Sequence, residues 1–89
     1  MAKKKIIKQK IILFAEDDQI LSEAFLLAME SEKEYKIILA ANGQEALEKI
    51  KKNKPDIILL DLMMPKKNGF DVLEIVRQKF KTLPKLFWS

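Results

Sequence analysis

Acidic side chains directly follow two of the most apolar stretches in this sequence. Three acids at positions 16–18 follow the run Ile11–Ala15, and Asp61 follows the run Ile57–Leu60. Carboxylates that converge on one point repel one another, so that a pKa rises or a cation binds. The chain has no histidine and no cysteine, and a site built only from oxygen ligands suits a hard cation. Magnesium is the usual choice where phosphate chemistry follows.

The missing residue types exclude several classes of protein. Without cysteine, neither a disulfide scaffold nor a thiolate metal site is possible. Without histidine, the chain has no histidine-based catalytic triad and no phosphohistidine of its own. At 89 residues, with 48% apolar and 34% charged residues, the chain has an ordinary globular composition and room for one domain with a modest core.

The net charge of +4 comes from the start of the chain. Five lysines among the first ten residues supply +5, which leaves −1 for the remainder. We interpret residues 1–9 as a basic N-terminal tail that aids solubility. No aromatic residue or arginine accompanies these lysines, so they do not form a stacking platform for nucleic acid. No apolar run is long enough for a membrane span and no signal peptide is recognisable, so a cytoplasmic location is expected.

Strand and helix patterns alternate along the chain. Short apolar runs predict two strands buried on both faces, followed by acids, and two further strands at Tyr35–Ala40 and Lys85–Ser89. Three amphipathic helical patterns separate them, the second of which begins with a capping box, Asn42 to Glu45. Alternation at this spacing predicts a three-layer α/β domain, a doubly wound parallel sheet with helices on both faces.

The first and third strands are the two that end in acids. If they are neighbours, Glu16, Asp17 and Asp61 meet at the carboxyl edge of the sheet, where such folds bind ligands. Two structural interpretations stay open at this stage. Asp61 is also a residue type that opens turns, and Asp18 is well placed to cap the following helix.

Several of these motifs together resemble the receiver domain of bacterial two-component response regulators. They are the acid pair after the first strand, the run Asp61-Leu62-Met63-Met64-Pro65 with Gly69 four residues beyond the proline, and Leu83-Pro84 before a strand that ends in Ser89. The resemblance covers the chain from Lys10 onward, so residues 10–89 are interpreted as a partial receiver domain. It implies a flavodoxin-like sheet, here of about four strands in the order 2-1-3-4 with three helices.

The resemblance also implies roles for particular residues. Asp61 would accept a phosphoryl group from the phosphohistidine of a sensor histidine kinase or phosphotransfer protein. Glu16, Asp17, Asp61 and the backbone carbonyl of Met63 would arrange a magnesium ion, and the hydroxyl of Ser89 would contact the phosphoryl oxygens. On this reading the chain is a phosphoryl acceptor and not an enzyme.

Receiver domains normally continue through a fourth helix, a fifth strand and a fifth helix, whereas this sequence stops at Ser89. No residue is assigned to the family's catalytic lysine or switch aromatic, so impaired phosphoryl transfer is expected. An uncovered sheet also predicts a homo-oligomer or a segment-swapped dimer. The alternative function is therefore a non-catalytic, self-associating interaction module.

Two other functions fit the residues less well. A magnesium-dependent phosphatase would need a second carboxylate two residues after Asp61, where Met63 stands. A flavin-binding protein would carry small hydroxyl residues and glycine after the first strand, where this chain has acids.

Overall fold

The computed structural model describes residues 8–64, 68–79 and 85–88. The strands are β1 (Lys10–Ala15), β2 (Tyr35–Ala40), β3 (Ile57–Leu60) and β4 (Lys85–Trp88), and the helices are α1 (Gln19–Ala28), α2 (Gly43–Asn53) and α3 (Gly69–Lys79). Strand and helix alternate as the sequence predicts. Ser89 and residues 65–67 lie outside the described residues. None of the described helices is long and apolar enough to cross a membrane.

The four strands form one parallel sheet in the order β2-β1-β3-β4, which confirms the predicted topology. β1 is an inner strand of the sheet, since it pairs with β2 on one side and with β3 on the other. Its last residue, Ala15, is in register with both Ala40 and Leu60. The chain therefore leaves β1 and β3 at the same level, so that the residues that follow them start side by side.

The core lies on the face of the sheet that α2 and α3 cover. Leu13 and Ile58 from adjacent strands are fully buried there, as are Val72 and Val76 of α3 and Ala46 of α2. Side chains alternate across a strand, so Leu13, Ile58 and Ala15 share this face while Ile12 and Phe14 point to the other. On α3, Phe70 is 57% exposed, whereas Val72 is fully buried.

Helix α1 covers the opposite face only in part. Its apolar residues recur at helical spacing, yet Ile20 is 78% exposed and Leu27 is 70% exposed. The inward contact is made by Phe25, whose ring lies 4.7 Å from that of Phe14. Apolar residues lie on more than one side of α1, so the sheet can bury only the side that faces it.

Candidate functional site

Backbone hydrogen bonds extend the sheet by one residue beyond the strands that carry the acids. The Glu16 N–H donates to the Ala40 carbonyl and the Asp61 N–H donates to the Ala15 carbonyl, both at 3.0 Å. The backbones of Glu16 and Asp61 are therefore held by the ladder itself and not by a free loop. This rigidity is what a preorganised ligand site requires, because the acids do not have to be ordered when a ligand binds.

The structure brings together the three acids that the sequence singled out. Glu16, Asp17 and Asp61 each offer one carboxylate oxygen, and these oxygens all lie within 4.8 Å of one another. Glu16 and Asp61 are half-buried, whereas Asp17 is exposed. The cluster is thus open to solvent on one side, and three negative charges face a single point at the carboxyl edge of the sheet.

The electrostatics of the cluster are visible at Glu16. Burial raises the pKa of its carboxyl group above the ordinary value of 4.5, and the neighbouring Asp61 and Asp17 carboxylates raise it further. The Asp18 N–H donates to Glu16 Oε2 at 3.1 Å and opposes this effect by stabilising the charged form. The net rise means that the ionised form of Glu16 is disfavoured, and a bound cation would offset that cost.

We expect Glu16→Gln to stabilise the metal-free fold near neutral pH. The folded-state pKa of Glu16 lies above the unfolded value of 4.5, so its ionisation destabilises the fold as the pH rises through the interval between these two values. Below 4.5 the carboxyl is protonated in both states and the gain should vanish. Urea unfolding in a chelator, at about pH 7 and about pH 3.5, measures this difference.

Glu30→Gln is the matched control, because Glu30 is exposed and lies outside the cluster. Its free energy of unfolding should change little at either pH. A Glu16→Gln variant that is less stable than the parent chain at both pH values would contradict the charge argument.

Asp18 serves as the helix cap that the sequence allowed. Its Oδ1 accepts hydrogen bonds from the backbone N–H groups of Ile20 (2.9 Å) and Leu21 (3.5 Å) at the start of α1. Asp18 is not among the three converging acids. The interpretation of Asp18 as a cap is confirmed, and the third of the three consecutive acids is thereby assigned a structural role.

Asp61 both opens a turn and lies in the acid cluster. Its Oδ1 accepts a hydrogen bond from the Met63 N–H at 3.0 Å, which is how an aspartate opens a turn. The same carboxylate group belongs to the acid cluster. The turn hydrogen bond fixes the side-chain rotamer, so the structural role also positions the carboxylate.

Helix α3 is anchored directly against the Asp61 turn. The Gly69 N–H donates to the Leu62 carbonyl at 3.1 Å, and Gly69 is buried. A Cβ atom at residue 69 would lie 2.3 Å from both the Asp61 carbonyl oxygen and the Leu62 Cα. Only glycine permits this approach. The described glycines do not have positive φ, so the requirement at Gly69 is one of space and not of backbone conformation.

Ser22 is a supporting residue that the sequence analysis missed. It is the buried polar side chain of α1, and its hydroxyl donates to the Glu16 carbonyl at 3.3 Å. This contact ties the first turn of the helix to the backbone of the acid cluster. A serine among apolar helix residues was the available signal, but its partner depends on how α1 folds back over β1.

Two further predictions concern the backbone carbonyl of Met63 and the hydroxyl of Ser89. The Met63 side chain is 79% exposed beside Asp61, and its backbone carbonyl remains a predicted ligand. Ser89, the predicted phosphoryl-contacting residue, lies outside the described residues.

Comparison with known proteins gives a consistent family. The family model for the response regulator receiver domain matches residues 12–89. Response regulator RR06 of Streptococcus pneumoniae is 43% identical over 68 residues, covering 76% of this chain and 31% of that protein. The alkaline phosphatase synthesis transcriptional regulatory protein PhoP of Bacillus subtilis is 36% identical over 77 residues, covering 85% and 31%. The chain thus spans about a third of the length of these curated relatives.

Solved structures agree with this result. The receiver domain of the Francisella response regulator 1452 superposes with a TM-score of 0.80 at 29% identity, covering 90% of this chain and 64% of that one. The non-phosphorylated HemR receiver domain of Leptospira biflexa superposes with a TM-score of 0.78 at 38% identity, covering 89% and 63%.

Proposed function

This chain belongs to the response regulator receiver domain family, and from that premise we propose that Asp61 is the phosphoacceptor of a two-component signalling module. Receiver domains are phosphoacceptor modules. The observation that carries the proposal for this chain is the convergence of Glu16, Asp17 and Asp61 within 4.8 Å at the ends of β1 and β3. We take the receiver unit to span residues 10–89, after a basic tail at 1–9.

The donor set fits magnesium. Receiver domains generally bind Mg²⁺ through acidic residues, and the side chains converging here are all carboxylates. We propose that Glu16, Asp17, Asp61 and the Met63 carbonyl hold the ion. A bound magnesium ion neutralises the charge that builds on a transferring phosphoryl group. The raised pKa of Glu16 is consistent with this assignment: burial is its main cause, and the neighbouring Asp61 and Asp17 carboxylates add to it.

Asp61 would perform the transfer as a nucleophile. A carboxylate oxygen of Asp61 attacks the phosphorus of the partner's phosphohistidine, the phosphorus–nitrogen bond breaks, and the imidazole leaves with that electron pair. The product is an aspartyl phosphate. The Met63 N–H, held 3.0 Å from Asp61 Oδ1, keeps the carboxylate in one rotamer during this step. We propose that the Ser89 hydroxyl contacts the phosphoryl oxygens of the product.

The partner would supply the phosphoryl group. We propose a sensor histidine kinase or a phosphotransfer protein as the phosphodonor, in the cytoplasm, with this chain as acceptor and not as an enzyme. No lysine of this chain is assigned to the family's catalytic position. We therefore propose that these 89 residues by themselves accept the phosphoryl group slowly.

Intact mass after incubation with a small-molecule phosphodonor tests the proposal. We expect a single labile phosphoryl adduct that forms with magnesium and not with a chelator. A folded sample that forms no adduct would mean that this chain has the carboxylates of the family but does not accept a phosphoryl group.

Asp17→Asn is expected to weaken magnesium binding about tenfold or more, because it removes one charged ligand from the set. Isothermal titration calorimetry measures the dissociation constant directly. Asp18→Asn is the matched control, since asparagine also caps a helix well and Asp18 is outside the cluster. Equal affinities for Asp17→Asn and the parent chain would remove Asp17 from the ligand set.

A second candidate function, a self-associating interaction module that transfers no phosphoryl group, is favoured by a specific observation. Large apolar side chains lie exposed on the α1 side of the sheet, among them Ile20 (78%), Leu27 (70%) and Phe87 of β4 (56%). Exposed apolar surface of this kind marks interaction sites. Under this proposal the chain forms a homo-oligomer or a segment-swapped dimer through that side of the sheet.

A further inference from the structure

β2 is an edge strand of the sheet, and the backbone groups along its outer edge can pair with those of an identical strand. The Lys10 N–H donates to the Glu34 carbonyl and the Glu16 N–H donates to the Ala40 carbonyl. In a parallel strand the N–H and C=O of one residue point the same way, and this direction alternates along the chain. Residues 34, 36, 38 and 40 therefore face β1, and Tyr35, Ile37 and Leu39 direct their backbone groups outward.

Two of the six outward groups already have partners within the chain. The Tyr35 N–H donates to the Glu32 carbonyl at 3.1 Å, and the Leu39 carbonyl accepts from Lys49 Nζ at 2.6 Å. Within residues 8–64, 68–79 and 85–88, no other protein group binds the remaining four. These are the Tyr35 carbonyl, both groups of Ile37 and the Leu39 N–H.

We propose that β2 pairs with β2 of a second copy of this chain, antiparallel about a two-fold axis at Ile37. In this register Ile37 opposes Ile37 and exchanges two N–H···O=C hydrogen bonds with it. Tyr35 opposes Leu39, so the free Leu39 N–H donates to the free Tyr35 carbonyl on each side. The two groups that have intrachain partners, the Tyr35 N–H and the Leu39 carbonyl, also oppose one another. Four intermolecular hydrogen bonds result, and no free group of this edge is left over.

Charges at the two ends of the edge fit the same register. Lys49 Nζ lies at the Leu39 carbonyl and also pairs with Glu45 at 2.9 Å. The acidic turn that contains Glu32 and Glu34 lies next to Tyr35. Because Leu39 of one copy opposes Tyr35 of the other, each Lys49 comes beside the acidic turn of the second copy. A parallel arrangement of the two strands would lack this complementarity and would not close.

A groove beside the edge supplies apolar surface for the contact. It has a volume of about 490 Å³, and its apolar lining comes from Tyr35 and Ile37 of β2 and from Leu26, Leu27 and Met29 at the end of α1. The rest of the lining is polar, from Gln9, Glu30, Glu32 and Lys33. Leu26 is 43% exposed and Leu27 is 70% exposed. In the proposed register, Ile37 and Leu39 of the second copy lie beside this groove. Stable interfaces bury roughly 1,200 Å² or more, so the proposed dimer must bury the leucines beside the edge in addition to the six paired residues.

Ile37→Pro tests the hydrogen bonds without disturbing the sheet. Proline is tolerated in an edge strand where its missing N–H would have faced solvent, and the Ile37 N–H faces away from β1. Each dimer loses two central hydrogen bonds, so the dimer dissociation constant should rise about tenfold or more. Sedimentation velocity over a concentration series measures it. Ile37→Thr keeps the N–H and a β-branched side chain, and should dimerise within about threefold of the parent chain.

Two charged substitutions at Ile37 test the same interface if the proline variant does not fold. Ile37→Lys and Ile37→Glu each place like charges directly opposite across the two-fold axis, so each alone should be monomeric. An equimolar mixture should form a heterodimer. Because Phe87 lies on β4, away from this edge, Phe87→Ser should leave the dimer intact.

Three results would overturn the proposal. They are a parent chain that stays monomeric at high concentration, a mixture of the two charge variants that stays monomeric, or a dimer lost in Phe87→Ser and kept in Ile37→Pro. The inference is independent of phosphoryl transfer, so Ile37→Pro should take up the phosphoryl group at the parent rate whether or not it dimerises.

Discussion

Asp61→Asn is expected to abolish the phosphoryl adduct. The amide nitrogen and oxygen of asparagine are poor nucleophiles toward phosphorus, and the substitution also removes one charged magnesium ligand. Loss of a nucleophile lowers rates by at least about a thousandfold in enzymes where this has been measured. The measurement is intact mass after incubation with magnesium and a small-molecule phosphodonor, followed over time beside the parent chain.

The fold should survive this change. Asparagine Oδ1 can still accept the Met63 N–H, which lies 3.0 Å from Asp61 Oδ1. The variant also carries one charge fewer in a cluster that already raises the pKa of Glu16, so its metal-free stability should equal or exceed that of the parent chain.

Asp18→Asn makes the same chemical change one residue beyond Asp17 and outside the cluster. It should keep both the cap on α1 and the adduct. An adduct that forms on Asp61→Asn at the parent rate would show that another residue is the acceptor.

Gly69→Ala adds a single methyl group and is expected to lower the free energy of unfolding strongly. The added Cβ would lie 2.3 Å from the Asp61 carbonyl oxygen and from the Leu62 Cα. Both are backbone atoms, so a side-chain rotation cannot relieve the clash. Overpacking of this kind costs about 3 kcal/mol, a large part of the stability of a small domain. Urea unfolding measures the change in the free energy of unfolding.

The same substitution should also weaken the proposed magnesium site. Relief of the clash must move α3 away from the turn or displace the backbone of Asp61, whose N–H is held by the Ala15 carbonyl. Glu74→Ala is the control on α3, because Glu74 is exposed and alanine favours helix. It should change stability by less than about 0.5 kcal/mol. Equal stability of Gly69→Ala and the parent chain would mean that α3 is not anchored against the Asp61 turn.

Local patterns in the sequence were sufficient for the order of elements and the class of site. The apolar runs Ile11–Ala15 and Ile57–Leu60 are too short for helices and too apolar for surface strands, so they could be assigned from residue type alone. Acids directly follow both runs in the sequence, so their place at the ends of the two strands could be predicted together with the strands. Asp18 and Asn42 were identifiable as caps because capping depends on residues only two or three positions away.

Burial was harder to predict wherever it depended on contacts across the fold. Both α1 and α3 have apolar residues on more than one side, and periodicity does not say which side faces the sheet. Phe25 and Val72 turned inward, while Ile20 and Phe70 stayed exposed. Ser22 contacts the backbone of Glu16 only because α1 folds back over β1.

The sequence alone therefore determined the residue types at the site and the ends of the strands that carry them, because both are encoded within a few neighbouring positions. Tertiary structure decided the rest. The pairing of β1 with β3 brings Glu16 and Asp61 together across 45 residues of chain, and the approach of α3 makes Gly69 indispensable. Which groups of β2 stay unpaired is likewise a property of the assembled sheet, since hydrogen-bond direction along an edge depends on register with the neighbouring strand.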